Sequence, residues 1–345
     1  MERPPYGAAT CGGRSPSESG REDTSVSHII QRLLVATDGS DPSEAALEFA
    51  LQLARAHTAD LLICNVVDYT AAAAETSVAL GVDLSGTFAA LDDASKGILR
   101  AASARARDAG VKANAFSLQG MPVTAIVAYA IEREVDAIVL ATRGRGGLTH
   151  LLLGSTAEGV LRSASVPVFV VHAKCEVRDL HTIFVAVDNS DPANAAAELA
   201  TELAISNGGR LVIEHVVDED ALSDQTATLG SYVSDIQDEW EREGRTLVQS
   251  VAERAERSGV REVEADVVFG NPVDEIVARS EAAKAHLIAI GTHGRRGLSR
   301  LAMGSVAESV VRRSRIPVVI VRSFAELNAR RRAQADVVRA EPVNA

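Results

Sequence analysis

The sequence predicts an α/β protein made of two copies of one domain, each a five-stranded parallel sheet with strand order 3-2-1-4-5. Three observations carry that expectation. The chain repeats itself at a fixed offset of 150 residues: Val35-Ala36-Thr37-Asp38-Gly39-Ser40-Asp41-Pro42 returns as Val185-Ala186-Val187-Asp188-Asn189-Ser190-Asp191-Pro192, and Val66-Val67-Asp68 returns as Val216-Val217-Asp218. A period of that length marks a duplicated domain, because solenoid repeats run about 20 to 50 residues. Each copy also alternates short β-branched runs with helical periodicity, the pattern of βαβ units on a parallel sheet. Finally, 345 residues with 46% hydrophobic content suffice for two domains, each with its own core.

In the first copy, strands are expected at Arg32 to Thr37, Asp60 to Val67, Val111 to Leu118, Ala137 to Thr142 and Val168 to His172; those of the second copy fall near 150 residues later. Asp41 is expected to cap the first helix, with Pro42 at its first position and the Glu44 carboxylate at its third, and Asp191-Pro192 repeats that start. Val123, Ile126, Val127, Ala130 and Ile131 keep the three-four spacing of a buried helix face, as do Ala157, Val160, Leu161 and Ala164. Ile236, Trp240, Leu247, Val248 and Val251 do the same in the second copy, which assigns Trp240 to the core. Tyr69 to Thr87 and Glu219 to Tyr232 diverge most between copies and read as loops over one rim.

Pro167 and Pro317 open the last strand of each copy, a position suited to a sheet edge. The two edges are expected to pair across a pseudo-twofold axis, making one chain an intramolecular pseudo-dimer, with further homodimer formation left open. The expected organisation is a disordered leader over 1–27, domains at 28–174 and 179–324, and a polar tail over 325–345.

Composition excludes several function classes. Forty-seven acidic against 35 basic residues give a net charge of -12, which argues against nucleic acid or an anionic membrane as partner. No apolar run reaches the roughly 18 residues of a membrane span and no secretion signal opens the sequence, so the expected location is the cytoplasm. Cys11, Cys64 and Cys175 occupy unrelated positions without CxxC spacing and read as reduced, incidental thiols.

Two segments of each copy could carry chemistry: the turn after the first strand and a glycine-rich connection after the fourth, running from Ala141 to Ser155 and from Gly291 to Ser305. Most βα connections need only about 2 to 6 residues. Because the strand order reverses between strands 1 and 4, both segments meet at the carboxyl edge, where open α/β sheets bind ligands. Glycines let backbone N–H groups approach phosphate oxygens, and Ser155 or Ser305 would open a helix whose positive end attracts an anion. His293, Arg295, Arg296 and Arg300 add positive charge there. Ser155 with Glu158 and Ser305 with Glu308 also fit capping boxes, which would occupy the hydroxyls. Capping leaves the glycines 10 and 13 residues before Gly304 unexplained.

The spacing Gly291-x2-Gly294-x9-Gly304-Ser305, with the strand ending in Asp188 and the Gly270-x-Pro272 turn, resembles the ATP-binding signature of the universal stress protein family. The resemblance covers about 30–172 and 180–322. It implies two Rossmann-like or flavodoxin-like domains of the adenine nucleotide alpha hydrolase type, and ATP as ligand, with Mg2+ left open. Asp188 and the main chain near Val216 would hold the adenosine, and the small Ala186 would let it pack close. Gly294, Arg295, Gly304, Ser305 and Val306 would surround the phosphates, with Gly291, His293 and Gly297 in the same loop. The first copy offers Ala36, Asp38, Val66, Ala141, Arg143, Gly144, Arg145, Gly147, Gly154, Ser155 and Thr156.

Ala141 stands where the signature has its first glycine, and Thr149 and His150 replace Ser299 and Arg300. If that glycine needs a positive φ or touches ligand, a methyl group there costs about 1 kcal/mol or clashes. Two sites are therefore expected, the second more secure. The sequence has no GxxxxGK[ST], HExxH, GxSxG or GxGxxG motif, and one aspartate per pocket favours binding over turnover. The expected function is an ATP-binding stress-response regulator. A slow ATPase, an adenylyl- or phosphoryl-transferring enzyme, and a nucleotide-free interaction scaffold stay open as alternatives.

Overall fold

Among the described residues, ten strands form one sheet in the order β3-β2-β1-β4-β5-β10-β9-β6-β7-β8. The computed structural model describes residues 30–70, 85–142, 153–173, 175, 179–219, 233–294 and 303–322. The first repeat runs β1 (Arg32–Ala36), α1 (Asp41–His57), β2 (Asp60–Val67), α2 (Ser85–Asp108), β3 (Ala113–Gln119), α3 (Pro122–Glu132), β4 (Ala137–Ala141), α4 (Ser155–Ser163) and β5 (Val168–Val171). The second runs β6 (Thr182–Ala186), α5 (Asp191–Ser206), β7 (Arg210–Asp218), α6 (Val233–Ser258), β8 (Val263–Gly270), α7 (Pro272–Ala282), β9 (Leu287–Gly291), α8 (Ser305–Arg313) and β10 (Val318–Val321). Each half is parallel and keeps the order 3-2-1-4-5.

Strand alternation divides the interior into two layers. Leu33 and Val35 of β1 face one cluster while Leu34 between them faces the other. The first cluster is closed by α1, α2, α5 and α6 through residues such as Phe49, Leu99, Leu203 and Val251. The second is closed by α3, α4, α7 and α8 through Ile126, Leu161, Ile276 and Val310. Helices on both faces explain why the central strands read as unbroken apolar runs.

The proline-opened strands end their own half-sheets, and the two ends meet at a seam. β5 and β10 pair antiparallel in the middle of the sheet, with Val318 opposite Val170, Val319 opposite Phe169 and Ile320 opposite Val168. All four residues of each strand are buried. Left uncovered, such an apolar edge would recruit another strand, and here the second repeat supplies one. The seam carries a reciprocal pair of helix caps. Arg322, 2% exposed, donates from Nη2 to the carbonyls of Leu161 and Arg162 at the end of α4, both at 2.8 Å. His172, at the matching position of the first repeat, donates from Nε2 to the carbonyl of Val311 in the last turn of α8 at 2.8 Å. Last-turn carbonyls have no partner within their own helix, so each repeat satisfies those of the other.

Several local expectations are corrected. Ser40, not Asp41, is the N-cap of α1, and Asp41 and Pro42 are the first two helical residues; Ser190 likewise precedes Asp191. The serine takes that place because its extended backbone lets Oγ accept from the N–H three residues on, Ser43 at 3.4 Å or Ala193 at 3.3 Å. The third strand starts at Ala113, two residues late, and α2 already begins at Ser85 inside the expected loop. The rest of that loop, 71–84, its partner 220–232, and the leader and tail lie outside the described residues.

Burial pushes the Cys64 thiol up to about 12 and that of Cys175 up to about 11, so both stay protonated at neutral pH. Cys11 lies outside the described residues. Among those residues no helix is long and apolar enough to cross a membrane.

Candidate functional site

Two turns at the carboxyl ends of β6 and β9 are stitched together by one serine. The N–H and Oγ of Ser190 reach Asp188 Oδ1 at 3.1 and 2.6 Å, folding the chain over Asn189 in the left-handed region at φ 64°. Ser190 Oγ also lies 3.1 Å from the carbonyl of His293. The first repeat folds the same way, with Ser40 at 3.1 and 2.5 Å from Asp38 Oδ1 and Gly39 at φ 71°.

Gly291 ends β9 where the first turn of α5 presses on the strand. A Cβ added there would lie 2.7 Å from both the Ala193 nitrogen and the Pro192 carbonyl carbon. The first glycine of the signature is thus required by helix packing, not by a positive φ, which corrects one of the two reasons expected for it. Ala141 carries that methyl group in the first repeat and packs half-buried against the core. Gly294 has a different reason. A Cβ there would run into Asp188 Oδ2, so a side chain at this position would push the carboxylate aside.

The long connection is closed by a hydrogen bond from the Gly304 N–H to the Thr292 carbonyl at 2.7 Å, matched by Gly154 to Thr142 at 2.7 Å. The capping boxes do not form. Gly154 and Gly304 are the N-caps and no side chain caps either helix. Glu158 instead pairs with Arg162 at 2.7 Å and Glu308 with Arg312 at 2.5 Å, one turn along, where four-residue spacing brings side chains together. Ser155 and Ser305 become the first helical residues. The first N–H groups of a helix have no partner within it, and those of α8 open on the cavity described next.

That cavity, about 680 Å³, falls within the 300–1,000 Å³ common for small-molecule sites. All nine described second-repeat candidates line it: Ala186, Asp188, Val216, Gly291, His293, Gly294, Gly304, Ser305 and Val306. Arg295 and Gly297 lie outside the described residues, as do Arg143, Gly144, Arg145 and Gly147. In the first repeat, Ala36 and Ala141 end the adjacent strands β1 and β4, Val66 lies in β2, Asp38 follows β1, and Gly154, Ser155 and Thr156 start α4.

The cavity also takes residues that the sequence did not single out. Asp218, which closes the duplicated Val-Val-Asp, lines it with His215, Trp240 and Glu243. His215 donates from Nδ1 to the Val187 carbonyl at 2.7 Å, a task done in the first repeat by Asn65 on Thr37, also at 2.7 Å. Trp240 is half-buried and faces the cavity, not the core. Only the later part of α6, with Leu247, Val248 and Val251, packs on the sheet, and the turn carrying Trp240 overhangs its carboxyl edge.

Next to Val216 on β7, Glu214 is 1% exposed and takes a hydrogen bond from Arg279 Nε, while Arg279 Nη2 reaches Asp266 at 2.5 Å. Burial pushes the Glu214 carboxyl up from 4.5 to about 7 against the pull of Arg279. A raised acid favours folding below its unfolded value of 4.5, and that contribution is lost as pH climbs through about 7. Between pH 5 and 8 the wild type should therefore lose ~3 kcal/mol relative to Glu214→Gln, read by urea unfolding of both proteins. Parallel profiles would mean that Glu214 is ionised throughout.

The model of the Universal stress protein family matches residues 30–172 and 180–322. The chain belongs to this family. It is a tandem universal stress protein, and a family relative from Mycolicibacterium smegmatis is 26% identical over 299 residues, 84% of this chain and 96% of that one. Universal stress proteins of Mycobacterium bovis and Mycobacterium tuberculosis are 31% identical over 195 residues, 56% of this chain, and the matched chain spans 63% of their length. Among solved structures, a universal stress protein from Archaeoglobus fulgidus superposes with TM-score 0.64 at 25% identity, covering 85% of this chain and 98% of that chain.

Proposed function

We propose that the second-repeat cavity binds an adenine nucleotide, ATP first, and that this universal stress protein is a nucleotide-dependent stress-response regulator with little or no turnover. The carrying observation is the polarity of one cavity. At one end stand the N-terminus of α8 and the glycine turn at Gly294, donors and open backbone suited to phosphates. Asp218 and Glu243 also line it, acceptors suited to sugar hydroxyls and base amino groups and unsuited to phosphate, while the Asp188 carboxylate borders the Gly294 turn between the two. Among the described residues no group of three or more His, Cys, Asp or Glu side chains could hold a metal.

Ala36, Asp38, Val66, Ala141, Gly154, Ser155 and Thr156 form the matching first-repeat site in this proposal, weaker because of Ala141. The protein would act in the cytoplasm, without nucleic acid or membrane as partner. Heat extraction of the purified protein should release ATP, and calorimetry should find a tighter and a weaker site. No extracted nucleotide and no heat with ATP would remove the proposal. Steady ADP formation that disappears in Asp188→Ala would favour a slow ATPase instead.

A further inference from the structure

We infer that Trp240 is a stacking platform for the base of the nucleotide in the second repeat, giving that repeat a preference for base-bearing over base-free polyphosphates that the first repeat lacks. The inference rests on the nucleotide reading above. Trp240 and Glu243 lie one turn apart on α6, beyond the stretch that packs on the sheet, and both line the cavity with Asp218 from the end of β7. Two carboxylates so placed repel phosphates, so the charged end of a nucleotide turns toward Ser305 and Val306 and its base end toward α6. The indole offers there a flat aromatic surface of the kind on which bases stack. Trp240 stays half-buried where Leu247, Val248 and Val251 are buried.

The first repeat is built differently. Counted back from the shared end of the helix, where Ala106, Gly110 and Val111 match Ala255, Gly259 and Val260, half-buried Leu91 occupies the position of Trp240 and exposed Ala94 that of Glu243, so this position carries neither a flat ring nor a neighbouring carboxylate one turn on. Its nearby aromatics are used on each other: Tyr69 and Phe88 meet edge to face at 5.0 Å, and the Tyr69 hydroxyl donates to Asp92. The repeats therefore differ in Ala141 against Gly291 and in Leu91 against Trp240.

Trp240 is the only tryptophan of the chain, so its emission reports on the second repeat alone. ATP should change that emission saturably in the full-length protein, and inorganic tripolyphosphate should change it far less. In a chain carrying Gly154→Glu to silence the first repeat, Trp240→Ala should weaken ATP about tenfold by calorimetry, while Trp240→Phe keeps most of the affinity and neither alters tripolyphosphate binding. ATP affinity within about twofold of the parent in Trp240→Ala would overturn the platform while leaving the nucleotide site in place. No heat with ATP in the parent protein would overturn both.

Discussion

Gly304→Glu is expected to abolish ATP binding in the second repeat, weakening it a hundredfold or more. The backbone there is already tight, since a Cβ would lie 3.1 Å from the Thr292 carbonyl oxygen and 3.4 Å from the His293 Cα. The larger effect is electrostatic. A carboxylate about 4 Å from a phosphate charge costs about 4 kcal/mol at the effective dielectric of a protein surface, and this cavity already holds Asp188, Asp218 and Glu243. Gly304→Ala separates the two causes, because it adds the Cβ without the charge and should cost only a small part of the affinity. Calorimetric titration of both variants decides the matter. An unchanged number of ATP per chain in Gly304→Glu would mean that the phosphates lie elsewhere.

Gly291→Ala should destabilise the second repeat by about 1–3 kcal/mol, the usual cost of overpacking a tight interior contact. The new methyl group meets backbone atoms of Pro192 and Ala193 at 2.7 Å, and backbone at a helix start yields less readily than the tip of a side chain. The reverse change, Ala141→Gly, should be neutral or slightly destabilising, because the first repeat is already built around its methyl group and glycine adds only chain entropy to the unfolded state. Urea unfolding of the pair reads this asymmetry. Equal and small effects would show that α5 can stand off from β9 as easily as α1 does from β4.

The duplication and its periodicity made most of the fold legible. The 150-residue offset gave two domains, and the β-branched runs located strands to within one or two residues, because a sheet covered on both faces needs continuous apolar segments. The glycine spacing located the cavity wall, because the close approach of β9 to the backbone of α5 leaves no room for a side chain at Gly291 and the Asp188 carboxylate crowds Gly294. Less visible was what depends on where an element ends in space. The period of α6 says which face Trp240 occupies but not that the helix overhangs the sheet there. Ser155 and Ser305 fit a capping pattern by spacing, yet the turn closed by Thr142 and Thr292 makes the preceding glycine the cap. Ser40 displaced Asp41 as cap because Asp38 folds the turn one residue earlier than proline placement alone suggests.

The reciprocal caps at the seam set a mechanical constraint on α4 and α8. Arg322 of the second repeat grips the far end of α4, whose near end carries Gly154 and Ser155; His172 of the first repeat grips the far end of α8, whose near end carries Gly304 and Ser305. Each of these two helices is thus moored in the opposite half of the chain. A shift of α8 along its axis toward a ligand stretches a bond rooted in the first repeat, and a shift of α4 stretches one rooted in the second. Neither half can shift its own helix without tugging on the other.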